Sequence, residues 1–293
     1  MSLSAQRALQ VLDFLTANER GTFTLSELSK ALDVSPGSMF AVLKAMSEGG
    51  YVTRHPRHKT YTLGPAVAAA GHAASGAHPV IELARTEMVK LAAATGHECT
   101  GTVLVGSDIL VIAVEGEPSG QSLDLAPGQR IPLLPPFGQP FMAWMPPAEL
   151  REWIADLPDD LRDRVAGYIE SYGRIVRQRG YSVGRGVPGR EHHSLTRELS
   201  ARPNDSALRA ALLQRFFAEQ PEFAVSEFEL DTEYHIGNIA APVFDPEGRV
   251  ACCLTLLNIG TRTGREVPAA ARPVIASAQL LTRQISGRVP QQD

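Results

Sequence analysis

The 293-residue chain has few cysteines, no long apolar run and no large excess of either charge. Each shortage removes a class of protein. Three cysteines, Cys99, Cys252 and Cys253, are too few for a disulfide framework, and the last two are adjacent in a stretch of strand composition. They are expected to be reduced thiols of a cytoplasmic protein. The N-terminus lacks a charged segment followed by an apolar signal core, in keeping with that compartment. The alanine-rich segment 66–77 is too short to span a bilayer and contains two glycines and a histidine, so no membrane segment is expected. With 28 basic against 32 acidic residues the chain carries a net −4 and is no polycation. A GxSxG elbow is missing, and no cysteine has a histidine partner in a motif, which argues against an enzyme. No internal repeat is evident.

What is present is enough hydrophobic residue, 44%, to build a sizeable core across about two domains. Charge is uneven along the chain. From Met1 to His78 seven Lys and Arg stand against five Asp and Glu, a net of about +2, which leaves the remainder acidic. A weakly basic module beside an acidic one suits a DNA reader that must release its site, because each phosphate contact adds salt-sensitive affinity.

Within the basic module, Phe23 to Gly64 has the pattern of a helix-turn-helix with a wing. Thr24 followed by Glu27 spells a capping box at a helix start. Leu28, Ala31 and Leu32 give that short helix an apolar stripe. Ser35 and Pro36 supply a second N-cap and first-turn pair. Met39, Val42, Leu43 and Met46 recur at helical spacing and should face the core, and Gly49 and Gly50 end the helix. This leaves Gly37, Ser38, Ala41, Lys44 and Ala45 outward with Phe40 at the flank. Tyr51 to His55 and Thr60 to Leu63 have strand composition around a basic tip. The candidate DNA contacts are therefore Ser35, Gly37, Ser38, Phe40, Ala41 and Lys44 on the helix, with Arg54, Arg57, His58 and Lys59 on the wing. A first helix, Ser4 to Ala17, should pack Leu9, Leu12 and Leu15 across this pair.

Beyond Gly64 the pattern is a low-bulk helix suited to link two domains and pack on its twin in a dimer, then an amphipathic helix from Val80 to Thr95. Strands His97 to Val105 and Ile109 to Glu115 follow, with a third at Gln121 to Leu125. A proline- and glycine-rich loop leads to a short helix at Gln139 to Met145, and Ala148 to Ile154 and Arg162 to Gln178 are further helices. Strands Asn238 to Phe244 and Arg249 to Leu257 flank the turn DPEG, and Pro268 to Ser286 is a terminal helix. The order of elements implies an α+β domain with an antiparallel sheet.

The chain resembles the IclR family of bacterial transcriptional regulators nearly end to end. The residues that carry the resemblance are RALQVLDFL, TLSELSKALDVSPGSMFAVLKAM, GYVTRHPRHKTYTLG, PGQRIPL with its following loop, RQRGYSV and IAAPVFDPEGRVACCLTL. It implies an N-terminal winged helix-turn-helix over 1–64, a linker helix over 65–78, and an α+β effector-binding domain over 79–288. It also implies binding to a pseudo-palindromic double-stranded DNA operator, a small organic effector, and assembly as a homodimer or dimer of dimers (a tetramer), without a cofactor. The effector-site candidates are Gly128, Arg130, Leu133, Leu134, Phe137, Gly138, Gln139, Asp231, Glu233, Asn238, Cys253 and Thr255. Asp231 and Glu233 match the family's acidic positions before a pocket strand; as an acid/base pair they would need a nucleophile that the sequence does not offer. Cys252 and Cys253 should point to opposite faces of their strand, one to the core and one to the pocket.

Three departures shape the expectation. Ala41 stands where the family usually has an arginine, leaving Lys44 and the wing to compensate. Gln139 stands where the pocket loop normally has a lysine, and Leu133, Leu134 and Phe137 make the pocket apolar. A larger or more hydrophobic ligand is then favoured over a small dicarboxylate, against the alternative of a degenerate pocket filled by its own side chains and a regulator controlled by a protein partner. Between Val183 and Asp231 the chain also carries more than forty residues where the family needs a few, an insertion at about 184–230. In it, Asn204 to Ser206 could cap a helix with a stripe of Leu208, Leu212 and Phe216 that packs locally, over the pocket mouth or on a partner.

Other motifs are weak. Gly184, Gly186 and Gly189 spell GxGxxG, but Pro188 interrupts it and a polar REHH run follows, so a junction is favoured over a nucleotide site. Glu191, His192 and His193 lack a third metal partner, and His97, Cys99 and His235 are more simply core or pocket residues than ligands. No metal site is expected.

Overall fold

The computed structural model describes residues 2–18, 20–117, 125–185, 206–223 and 227–290. They form two compact units, one of residues 1–79 with 126–129 and one of residues 80–125 with 130–293.

The first unit holds α1 (Leu3–Ala17), β1 (Phe23–Thr24), α2 (Leu25–Ala31), α3 (Pro36–Glu48), β2 (Val52–Arg54), β3 (Thr60–Leu63) and α4 (Pro65–Ala77). Val11, Leu15, Leu28, Met39, Val42, Leu43, Met46, Val52 and Tyr61 make its core. The stripe of α1 is Ala8, Val11, Leu12 and Leu15, and Leu9 is 52% exposed rather than inward. A 3.6-residue period puts Leu9 well off the face shared by Val11 and Leu15. In α2 the stripe likewise runs through Leu25, Leu28 and Leu32 with Ser29 buried beside it, and Ala31 is exposed. The Thr24–Glu27 capping box is present, and backbone and side-chain hydrogen bonds from Thr24 hold the Glu27 carboxyl below its usual range. At α3 the second cap differs from expectation: the Ser35 hydroxyl donates to the Ser38 hydroxyl at 3.1 Å and caps no backbone donor, while Pro36 occupies the first turn as expected.

The wing is a three-stranded sheet of order β1-β3-β2. Its third strand, β1, is only Phe23 and Thr24 paired with Tyr61 and Thr60, too short to leave a period-2 signal. Gly64 ends the wing under a steric constraint, since a Cβ there would lie 2.2 Å from the Gly50 carbonyl oxygen. α4 begins at the next residue and buries none of its own side chains.

The second unit is built on a six-stranded sheet of order β6-β5-β4-β9-β8-β7, with every neighbouring pair antiparallel. The strands are β4 (Cys99–Val105), β5 (Asp108–Glu115), β6 (Arg130–Pro132), β7 (Ser182–Arg185), β8 (Glu233–Phe244) and β9 (Val250–Thr263). The helices are α5 (Pro79–Thr95), α6 (Gln139–Ala143), α7 (Pro147–Ala155), α8 (Asp159–Arg179), α9 (Ser206–Phe223) and α10 (Val267–Gln284). Most boundaries fall within a few residues of those expected, but β8 and β9 run on past Asn238 and Leu257 as a polar ladder pairing Glu233 with Thr263 and Ile236 with Gly260. The expected strand at Gln121 to Leu125, the Asn204 to Ser206 cap, Gly186, Gly189 and the Glu191–His192–His193 group lie wholly or largely outside the described residues.

The sheet has two unlike faces. On one, Cys99, Ile239, Ala241, Val243, Cys252, Leu254 and Leu256 pack with α5 and α10 in a largely apolar layer, in which the only buried polar side chains of α10 are Ser277 and Thr282. Gly101 permits that closeness, because a Cβ there would meet the Met88 sulfur at 2.7 Å. On the other, Ile109, Val111 and Cys253 pack with Leu133, Leu134, α6, α8 and the inserted helix α9. Edge strand β7 is tied down by Tyr172 of α8, whose hydroxyl donates to the Val183 carbonyl at 2.8 Å and accepts from the Val183 amide at 3.3 Å. Burial foremost pushes the Tyr172 phenol up to about 12, so it stays a donor at neutral pH.

Two outcomes follow from these contacts. Thr24→Ala removes the reciprocal cap and should cost about 1 kcal/mol, measured as roughly fivefold faster hydrogen exchange of the α2 amides. Tyr172→Phe leaves two backbone groups of an edge strand unpaired and should cost about 1–3 kcal/mol, read from denaturant unfolding of the second unit.

Candidate functional site

The DNA-facing candidates are gathered on α3 and the wing. Pro36 to Glu48 forms α3 because its apolar positions face inward, which turns Gly37, Ala41, Lys44 and Ala45 outward. Phe40 stands 54% exposed among them, and Ser35 is exposed while Ser38 is half-buried. Lys44 lies 3.9 Å from Glu48, with both side chains mostly in solvent, a pairing too weak to hold the ammonium from another anion. Arg54, Arg57, His58 and Lys59 are all exposed on or beside the wing turn.

The turn itself is organised by His55, a residue that sequence reasoning left out of the site. Its Nδ1 accepts from the backbone amides of Arg57 at 3.3 Å and His58 at 3.1 Å, and its ring lies 4.6 Å from that of His58. Lys59 adopts a left-handed backbone, φ 57°, and its ammonium donates to the Pro56 carbonyl at 2.5 Å. Arg54 lies over the Tyr61 ring at 5.8 Å. His55 at the head of a turn beside Pro56 was a local signal that could have been read, since a side-chain acceptor two or three residues before free amides is a common turn device.

In the second unit, the face beneath α6, α8 and α9 brings together Leu133, Leu134, Gln139 and Cys253, all buried. Phe137 packs against them half-buried. Gly138 is needed at the start of α6: its φ is +70°, and a Cβ would meet Leu133 Cδ1 at 2.5 Å. Cross-strand register adds polar groups to this face. Thr255 pairs with Thr100 and Ala240, Cys253 with Thr102, and Ala240 in turn with Ser182. Asn238 joins them opposite Gly184, where a Cβ would lie 2.4 Å from the Asn238 side-chain amide. That close approach gives Gly184 a packing role. The face is thus a floor of hydroxyls and an amide under an apolar roof, whereas the opposite face of the same sheet carries none of these.

Other expected members lie elsewhere. Arg130 pairs with Leu110 on β6, and by alternation points away from the face of Ile131 and Ile109. Asp231 is 87% exposed and pairs with Arg265 at 2.8 Å, and Glu233 is exposed at the far end of the ladder. Gly128 belongs to the segment grouped with the first unit. The pattern of the sequence could not foresee these placements, because the β8 extension that carries Glu233 into solvent is mostly polar and unperiodic.

Tyr168 of α8 is the central residue that sequence reasoning missed. Its ring stacks on Tyr172 at 5.5 Å and meets Phe216 of α9 edge-on at 5.0 Å. Burial, with the neighbouring Tyr172 second, pushes its phenol far above the usual range. Its hydroxyl and that of Ser182 are buried without a hydrogen bond of normal geometry, although the Gln139 side chain lies close enough to the Tyr168 oxygen to favour its charged form. A crevice between α6 and α8, lined by Gln139, Met142, Tyr168, Ile169 and Tyr172, is about 10 Å³, no more than a single water needs. Burial raises all three thiols, Cys99 and Cys252 to about 12 and Cys253 well beyond the usual range. Cys99 faces the apolar layer, and burial with the charge of Arg262 pushes His97 down. Among the described residues no three His, Cys, Asp or Glu side chains are placed to hold a metal ion.

Comparison with known proteins agrees with both halves. Residues 4–56 match the model of the IclR helix-turn-helix domain. The HTH-type transcriptional regulator XynR of Escherichia coli (strain K12) is 26% identical over 189 residues, covering 61% of this chain and 73% of that protein. The crystal structure of an IclR transcriptional regulator from Alicyclobacillus acidocaldarius has the same fold, with TM-score 0.65 and 20% identity over 97% of this chain and 99% of the other. So does an IclR homologue from Microbacterium hydrocarbonoxydans complexed with 4-hydroxybenzoate, with TM-score 0.59 and 14% identity over 95% and 98% of the two chains. The chain thus carries an IclR-type helix-turn-helix over residues 4–56 and, after it, an α+β domain with the fold of IclR homologues.

Proposed function

We propose that the protein is a ligand-responsive regulator that binds a pseudo-palindromic operator as a dimer through α3 and the wing, and an apolar or aromatic effector on the polar-floored face of its sheet. The observation that carries the effector half is the contrast between the two faces. A sheet that needed only a core would be apolar on both sides, yet one face gathers Thr100, Thr102, Ser182, Asn238 and Thr255 beneath Leu133, Leu134 and Tyr168. Small-molecule sites have this make-up, mostly apolar walls with a few placed polar groups. The homologue crystallised with 4-hydroxybenzoate makes an aromatic acid a reasonable first probe. Gln139 in place of a cation gives a carboxylate no full charge to pair with, so the apolar part of the ligand should dominate its affinity. The helix α4, which is rich in alanine and buries none of its side chains fully, supports a surface on which two copies meet. The protein lacks a membrane-crossing helix among its described residues, as a DNA-binding protein in the cytoplasm would.

One observation favours a second reading, a regulator without an effector that responds to a protein. The chain's own side chains cover the face: Leu212, Leu213, Phe216 and Phe217 of α9 are buried in one cluster with Leu133, Leu134, Tyr168 and Cys253.

Lys44→Ala and Arg57→Ala should each weaken binding to a duplex selected from a random pool, and each should lower the slope of log K against log salt by about 1. Fluorescence anisotropy across a salt series measures this, and unchanged titrations for both variants would remove them from the interface. For the effector, a panel of aromatic acids and phenols including 4-hydroxybenzoate should contain at least one compound that raises the melting temperature progressively with concentration. A flat response across the panel, with operator binding intact, would favour the protein-controlled reading.

A further inference from the structure

The insertion supplies what fills the face. Arg209, near the start of α9, is bonded to Asp108 at the start of β5 at 2.6 Å, and the helix reaches β7 on the other side of the sheet. Eighteen helical residues extend about 27 Å, enough to cross most of a six-stranded sheet with strands about 4.8 Å apart. Along that path Leu212, Leu213, Phe216 and Phe217 are buried in the same cluster as Leu133, Leu134, Tyr168 and Cys253. Phe216 sits against the Tyr168 ring, and Arg164 of α8 lies over the Phe217 ring at 4.6 Å.

Packing of this kind ought to be finished like a core, and it is not. The Tyr168 and Ser182 hydroxyls on the face that α9 crosses are buried without normal hydrogen bonds, whereas native interiors pair nearly all such groups. The phenylalanines of α9 satisfy the apolar half of the site but leave the Ser182 hydroxyl without a partner and the Tyr168 hydroxyl with no more than the nearby Gln139. A molecule with an aromatic ring and a hydroxyl or carbonyl would answer both.

We propose that α9 is a built-in occupant of the effector face, displaced by a small molecule that carries an aromatic or branched apolar group together with one hydrogen-bonding group. The proposal rests on the reading of that face as the effector site. It makes the insertion a competitor that sets the ligand concentration at which the regulator responds. The Arg209–Asp108 ion pair is its latch: both side chains are mostly buried, so the pair is worth more than a surface bridge.

The test uses the full chain with p-cresol as probe. Hydrogen exchange followed by mass spectrometry should show the α9 amides exchanging at least tenfold faster with p-cresol bound, while those of α5 and α10 are unchanged. Phe216→Ala should bind p-cresol at least tenfold more tightly than the parent chain, because the ring's place is empty. Arg209→Ala should shift affinity in the same direction by a smaller factor, and it serves alone if Phe216→Ala fails to fold. If p-cresol or any aromatic acid raises the melting temperature while α9 stays as protected as α8, the displacement idea is wrong and the effector reading survives. If no aromatic compound binds the parent chain or either variant, both are wrong.

Discussion

Because successive side chains of β9 point to opposite sides of the sheet, Cys252, Leu254 and Leu256 are committed to the layer under α5 and α10, and Cys253 and Thr255 to the layer under α8 and α9. Much of the second unit depends on that alternation. The first layer is largely apolar, tightened by Gly101 against Met88, and its buried Ser277 and Thr282 are each hydrogen-bonded. The second layer is then free to carry hydroxyls and amides that would weaken a structural core. A one-residue slip of β9 against β8 would exchange the two sets and bury Thr255 against α10, so the register is strongly specified.

The N-terminal unit separates its tasks differently. The inward positions of α3 are occupied by Met39, Val42, Leu43 and Met46, and the outward ones offer a single cation, Lys44, among small residues and an exposed Phe40. Direct reading of base edges needs side-chain donors and acceptors, and on this helix Lys44, Ser35 and Ser38 supply them. With so few such groups, a DNA complex of the proposed kind would draw its selectivity also from apolar contact with thymine methyls and from the wing. His55 matters here because it holds the wing's backbone in one conformation and so presents Arg57 and His58 in a fixed place.

Periodic elements were legible and aperiodic ones were not. The heptad-like run in α3, the Thr24–Glu27 box and the opposed cysteines of β9 each rest on a local rule that the tertiary structure obeys. The failures have physical causes. Strands of two to four residues, β1, β6 and β7, exist only because a neighbour offers them hydrogen bonds. The resemblance gave Asp231 and Glu233 as site candidates, and their exposure, Asp231 just before β8 and Glu233 at its first residue, follows from a polar extension that carries no period to read. Tyr168 was hidden because one tyrosine in an amphipathic helix does not differ in pattern from any other core residue. Only the meeting of α8 with α9 makes it central, and that meeting is a long-range contact across an insertion.

An insertion that fills a site changes what the site responds to. If α9 undocks one time in about a hundred, a ligand that binds only the open face has its apparent affinity reduced about a hundredfold, without any change in the groups that touch it. The latch and the phenylalanines then tune sensitivity, and the floor of Thr100, Ser182, Asn238 and Thr255 tunes selectivity, as two separable properties of one face. Linkage requires the converse as well: whatever stabilises the docked helix, including a partner that grips its outer surface, must weaken the ligand by the same factor. The two readings of the filled face thereby become arms of one equilibrium. A metabolite that expels α9 and a protein that holds it down would act on the same two states from opposite sides, and either could bias the arrangement of the DNA-binding units if that arrangement differs between those states.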